Sequence, residues 1–174
     1  MIKKILDVKN PKLRIGSKPI NVVDKRIKEI AKDLIDTLSV QKNPEGVGLA
    51  ACQIGKNIRM FAMVHRKKIK IVINPKILSS SNVKTPKKDD EPIMEGCLSI
   101  LNYYGPLKRP QKVTLNYQNL EGETKTENFM GLSAQIVQHE VDHLNGILFT
   151  DILFKQKASL FKLKGEEWEE VELT

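Results

Sequence analysis

Along the chain, hydrophobic positions change period several times, and each change predicts a different local structure. Between Asp24 and Ser39, Ile27, Ile30, Leu34, Ile35 and Leu38 recur at helical spacing, and Asp24 stands where its side chain can cap the first turn. An amphipathic helix is predicted there. Ile58 to Val64 and Ile69 to Ile73 are β-prone runs joined through Arg66-Lys67-Lys68, with Asn74-Pro75 closing the second, which predicts a hairpin. Val113, Leu115 and Tyr117 alternate with Thr114 and Asn116, and the turn Asn119-Leu120-Glu121-Gly122 leads into Thr124 to Met130, a second hairpin. From Gly131 the period becomes helical again. Leu132, Ile136, His139, Glu140 and His143 share one broad face, and Asn145-Gly146 supplies the stop.

Between these elements the punctuation is uneven. Gly46 to Gly55 is rich in small residues that allow close backbone approach, so this segment is expected to lie along a ligand. Ser79 to Glu91, with serines, prolines and charges, is expected to be a mobile surface loop, and Lys155 to Lys164 a short helix. No repeat or linker divides the chain. With strands and helices segregated, the expected class is α+β, with small antiparallel sheets packed around a central helix, in one domain spanning residues 1–174.

Composition narrows the picture. The first residues lack the apolar run of a signal peptide and no stretch approaches a membrane span, so no membrane partner is expected. Two cysteines are too few for a disulfide framework and suit a reducing compartment. The expected location is cytoplasmic, of bacterial type, or an organelle if a leader has been trimmed. The formal charge of +8 raises the question of nucleic acid, but the lysines are dispersed and no aromatic-basic motif accompanies them, so no specific nucleic-acid site is expected.

The central helix carries the chemistry. His139-Glu140-Val141-Asp142-His143 places two histidines four residues apart, about 6 Å of rise and about 40° of rotation, so both imidazoles reach one ion. Glu140 then belongs beside the ion's open position as a general base. On an apolar helix face two imidazoles and a carboxylate need compensation, and a metal supplies it. The third ligand decides the class. A metzincin would place a histidine where Phe149 stands, and the acidic tail from Glu166 to Glu170 is poorly suited to donate a glutamate. Cys97, between Gly96 and Leu98, is the better candidate; three protein ligands leave a fourth position open for catalysis.

Three segments together resemble the peptide deformylase family: Gly46-Val47-Gly48-Leu49-Ala50-Ala51-Cys52-Gln53, Glu95-Gly96-Cys97-Leu98-Ser99 and Gln138-His139-Glu140-Val141-Asp142-His143, in order and approximate spacing. The resemblance extends to Asn10-Pro11-Lys12-Leu13-Arg14, Val72-Ile73-Asn74-Pro75 and His143-Leu144-Asn145-Gly146 with Asp151 beyond. It implies hydrolysis of the N-formyl group from the initiator methionine of nascent peptides. It also implies one divalent ion, ferrous iron before nickel, cobalt or zinc, held by Cys97, His139 and His143. Glu140 is then the base, and the Gln53 amide and Leu98 backbone N–H stabilise the oxyanion. The alternative is an H-E-x-x-H metallopeptidase.

On the same resemblance Gly48 and Gly96 present backbone to an extended peptide, while Val47, Ile93, Leu132 and Ile136 line a pocket for the methionine side chain. Glu45 and Asp142 are the nearest carboxylates to orient the imidazoles, and Glu95 can instead pair with Arg109. Many members have a proline and then an arginine at the substrate entrance after the cysteine motif, where this chain has Leu101 and Tyr104, so the entrance is expected to grip the peptide differently. Cys52 is expected to be a packing residue and His65 to be solvated. The basic C-terminal stretch is expected to touch the ribosome.

Overall fold

A computed structural model describes residues 1–81 and 94–172. Helix α1 spans Lys25–Ser39 and buries Ile27, Ile30, Ala31, Leu34 and Leu38. Its first turn is closed by the Ile27 N–H donating to Asp24 Oδ1 at 2.9 Å, a cap worth about 1 kcal/mol. Strand β1 (Gly48–Ala50) runs into a 3-10 turn over Ala51–Ile54, and β2 (Met60–His65) turns back into β3 (Lys68–Ser80). Arg66 and Lys67 make this turn with φ of 50° and 64°, the left-handed geometry of a tight hairpin. Strands β4 (Met94–Cys97), β5 (Ile100–Pro106), β6 (Lys112–Gln118) and β7 (Thr124–Met130) follow, then α2 (Leu132–Leu144) and α3 (Phe149–Lys155). Strands β8 (Leu160–Lys164) and β9 (Glu167–Val171) complete the order, giving an α+β fold.

The strands form a five-stranded sheet, β1-β2-β3-β6-β7, and a four-stranded sheet, β4-β5-β8-β9. The centre of the first is covered on both faces. Phe61, Met63 and Val72 pack in one cluster with Ile136, Val137 and Val141 of α2, while Met60, Ala62, Ile71 and Ile73 pack in another with Leu34 and Leu38 of α1. This explains why β2 reads as a continuous apolar run while β6, covered on one face, alternates. A third cluster joins Cys97 and Leu107 to Phe149 and Leu153 of α3 and Leu160 of β8. The metal-motif helix is therefore clamped between core and sheet edge. At its end Gly146 has φ 75°, and a Cβ there would lie 2.5 Å from the Arg14 carbonyl oxygen.

Three expectations are corrected. Asn74-Pro75 does not close a strand: β3 continues to Ser80, and the register with β6 shifts between Ile73 and Lys76, so the proline sits at an irregularity where a ladder hydrogen bond is not required. The stretch Lys155 to Lys164 is not a helix, because α3 ends at Lys155 and Leu160–Lys164 is a strand paired with β9. His65 is not solvated: its side chain is 14 % exposed, Nδ1 lies 3.0 Å from Ser133 Oγ, and its ring meets Phe129 edge-on. Of the expected loop, Ser79 and Ser80 belong to β3 and residues 82–91 lie outside the described residues.

Candidate metal centre

Four pieces of chain deliver the centre. Helix α2 supplies His139, Glu140 and His143; β4 supplies Glu95 and Cys97; the 3-10 turn supplies Gln53; β1 supplies Gly48. The candidate ligand atoms of Cys97, His139 and His143 all lie within 4.8 Å of one another, and Cys97 Sγ is 3.2 Å from His143 Nε2. Burial opposes ionisation of the Cys97 thiol, but His143 and His139 outweigh it and bring its pKa down to about 5. One soft anionic sulfur and two imidazoles form a donor set for a borderline divalent cation. His143 Nδ1 and Glu140 Oε2 are buried with no hydrogen-bond partner among the described residues. The residues fit a metal.

Glu95 organises the first candidate ligand. Its carboxylate accepts from Arg109 Nε at 2.7 Å and Nη2 at 2.6 Å, from Gln135 Nε2 at 3.1 Å, and from His139 Nδ1 at 2.7 Å. With the His139 proton committed to Glu95 at Nδ1, the lone pair is left on Nε2. Burial works against the charged form of Glu95, yet Arg109 and His139 hold its pKa down to about 2. Asp142 reaches the same network indirectly, accepting from Arg109 Nη1 at 2.8 Å. Glu45 is exposed at the cavity rim and makes no such bond among the described contacts, so Glu95 takes the orienting role expected of Glu45. The sequence signal was available, since Glu95 is two residues from Cys97, but its spatial neighbours were not.

Glu140 is nearly sealed from solvent, and burial pushes its pKa up to about 7. Gly48 makes room for it, because a Cβ at that position would overlap Glu140 Oε1. Gln53 is held by the Ala50 N–H, which donates to Oε1 at 2.8 Å, so Nε2 faces Ser99 Oγ at 3.1 Å and Cys97 Sγ at 3.5 Å. Cys52 is buried with its Sγ donating to the His143 carbonyl oxygen at 3.5 Å, and burial drives its thiol up to about 12, which leaves it a packing residue. Phe149, where a metzincin would place a third histidine, is buried and stacks against His139 with centroids 6.4 Å apart.

A cavity of about 200 Å³ opens beside these groups. Val47, Gly48, Gly96, Leu98, Leu132 and Ile136 line it together with Gln53, Cys97, His139 and Glu140. Ile136 is buried, whereas Leu132 and Val47 lie at the exposed rim. Ile93 lies outside the described residues. Tyr104, placed at the substrate entrance by the resemblance, lines the cavity; Met94 and Gln135 also line it and were not expected as pocket residues, because one follows an unpatterned segment and the other sits on a helix whose facing is fixed only by packing. Gly96 has its own steric reason: a Cβ there would lie 2.5 Å from the Tyr104 ring.

Comparison with known proteins agrees with this geometry. The family model described as polypeptide deformylase matches residues 2–159. The chain is similar to a peptide deformylase of Dictyoglomus thermophilum, 38% identical over 87% of this chain and 92% of that protein, and to peptide deformylase 2 of Clostridium acetobutylicum, 41% identical over 81% and 88%. A crystal structure of the peptide deformylase from Thermotoga maritima superposes with a TM-score of 0.76 at 34% identity, over 87% of this chain and 97% of that one.

Proposed function

The chain belongs to the polypeptide deformylase family, and on that premise we propose how its own residues perform the hydrolysis. The activity is metal-dependent removal of the N-formyl group from nascent polypeptides. Cys97, His139 and His143 would hold a divalent ion, with ferrous iron proposed first and nickel, cobalt or zinc as substitutes. When bound, the ion would supply Lewis acidity and would lower the pKa of water at the site toward neutrality. Glu140 takes the proton of the water as the carbon–oxygen bond forms and returns it to the nitrogen as the carbon–nitrogen bond breaks, releasing formate and a free amine.

Gln53 Nε2 and the Leu98 N–H stabilise the negative charge on the formyl oxygen, each worth roughly 3 to 4 kcal/mol by comparison with similar donors. Glu95, through its bond to His139, is a positioning residue, and Asp142 acts through Arg109. Ile136, Val47 and Leu132 receive the methionine side chain, and Gly48 and Gly96 allow the peptide backbone to approach as an added strand. Residues 1–174 act as one catalytic domain. The setting is cytoplasmic, consistent with the absence, among the described residues, of any helix long and apolar enough to cross a membrane. Exposed Lys155, Lys157 and Lys164 on the C-terminal hairpin side contact the ribosome.

One observation carries the mechanism: a buried Glu140 oxygen with no hydrogen-bond partner among the described residues stands beside three mutually adjacent candidate ligand atoms, and Glu140, Cys97 and His139 line one cavity. The rival peptidase reading loses its third ligand, because Phe149 is packed against His139 and β9 carries Glu167, Glu169 and Glu170 on an exposed hairpin. Anaerobically prepared protein incubated with a formyl-methionyl peptide and with its unformylated counterpart tests the proposal. Formate is expected from the first alone. Internal peptide cleavage without formate would support the peptidase instead.

A further inference from the structure

Resting on the deformylase reading, we propose that Trp168, on the C-terminal hairpin, is a specificity residue that contacts the second and third residues of the substrate peptide. The partner chemistry is a large apolar or aromatic side chain following the formyl-methionine. The cross-strand register places Gly96 opposite Tyr104, Tyr104 opposite Phe161, and Leu163 opposite Trp168. Because side chains alternate along a strand, Tyr104, Phe161, Leu163 and Trp168 share one face of the four-stranded sheet. The opposite face carries Tyr103, Leu160 and Val171 into the third core cluster. None of the four on the first face belongs to any of the three core clusters among the described residues.

This face is continuous with the reaction site. Tyr104 lines the cavity, and its ring packs over Gly96, the neighbour of Cys97. The Trp168 ring meets Tyr104 edge-on with centroids 5.2 Å apart, and Trp168 is 49% exposed. A chain leaving the cavity over Tyr104 therefore crosses one strand spacing and then one aromatic contact, about 10 Å or about three extended residues, before it clears Trp168. A half-exposed indole propped by a second ring offers a flat apolar surface with little rotamer freedom to lose, which suits an aromatic or large aliphatic side chain better than a small or charged one. Lys162 lies over the Tyr103 ring on the opposite face, 5.5 Å from its centroid. Glu170, opposite Phe161 and two residues from Trp168, is the charged neighbour on the Trp168 face, and it disfavours an acidic side chain there.

Trp168 is the single tryptophan of the chain, so its fluorescence reports this surface alone. The metal-loaded protein is titrated with the unformylated tripeptides Met-Ala-Phe and Met-Ala-Gly, and kcat/KM is measured for their formylated forms in the wild type, Trp168→Ala and Trp168→Phe. The expected result is an emission shift with Met-Ala-Phe only, and a kcat/KM preference for the Phe peptide of about tenfold that Trp168→Ala removes through KM and Trp168→Phe largely keeps. Thermal unfolding of each variant separates this from a loss of fold. An unchanged preference in a folded Trp168→Ala variant, or a shift equal for both peptides, overturns the inference while leaving deformylation standing. No formate from either formylated peptide would instead overturn the deformylase reading, and the fluorescence titration reads Trp168 independently of turnover.

Discussion

Replacing Glu95 by alanine is expected to damage stability and metal binding together, for separable reasons. Four donors converge on this carboxylate: Arg109 Nε and Nη2, Gln135 Nε2 and His139 Nδ1. Glu95 and Arg109 are 5% and 8% exposed, so truncation strands a guanidinium in the interior. Breaking a buried pair by removing one partner costs about 3–5 kcal/mol, because the remaining charge has lost its compensation. Asp142, still 2.8 Å from Arg109 Nη1, offsets part of that, which points to the low end, about 3 kcal/mol. For a chain of this length the loss corresponds to a fall in Tm of about 6–12 °C. Loss of the Nδ1 acceptor frees the His139 ring to rotate and is expected to weaken metal binding by about 10–100-fold.

Thermal unfolding in chelator measures the first effect, and competition with a metallochromic indicator measures the second. A double-mutant cycle isolates the cause. Glu95→Ala with Arg109→Leu is expected to be less destabilised than the sum of the single changes by about 1–3 kcal/mol, since the second change removes the stranded charge. A Glu95→Ala protein that unfolds within about 1 °C of wild type in chelator, or strictly additive single and double variants, would show that no stranded Arg109 charge drives the loss.

Other expectations follow from the same geometry. Gly48→Ala places a methyl in the space of Glu140 Oε1 and displaces the base; kcat is expected to fall by about 10²-fold with metal content unchanged by elemental analysis. Gln53→Ala removes a fixed donor and is expected to cost about 10²–10³ in kcat with a modest change in KM, read from initial-rate formate assays. Burial, reinforced by Lys70 and opposed by Glu127, holds the His65 pKa below 6.5. The unfolded chain therefore binds more protons at this residue as pH falls through the ordinary histidine range, and the folded state loses stability there. Urea unfolding from about pH 7 to about pH 5 is expected to show a steeper loss in wild type than in His65→Gln.

How much of this was legible in sequence depended on range. The α1 period and the Asp24 cap were readable because both are set within a few residues, and so were the β6–β7 hairpin and the two histidines at helical spacing. The C-terminal hairpin was not. Lys155 to Lys164 has a charge pattern compatible with a short helix, and only pairing with β5 and β9 makes Leu160–Lys164 a strand. Asn74-Pro75 looked like an end because a proline cannot donate in a ladder, whereas the register shift at that point removes the demand. His65 looked solvated in a basic turn, but Ser133 and Phe129, 68 and 64 positions away, enclose it. The same limit governed the site: Cys97 and Glu140 announced themselves by motif, while Glu95 and Gln135 acquired their places only when β4 and α2 came together.

In the proposed mechanism Glu140 moves the proton in a centre whose ion Cys97, His139 and His143 would hold. Glu140→Ala, purified without oxygen, tests it when bound metal and formate release from a formyl-methionyl peptide are measured on the same sample. Metal at the wild-type level with formate release lowered by at least about 10²–10⁴-fold is the expected result. Near-normal formate release with the metal still bound would rule out Glu140 as the base.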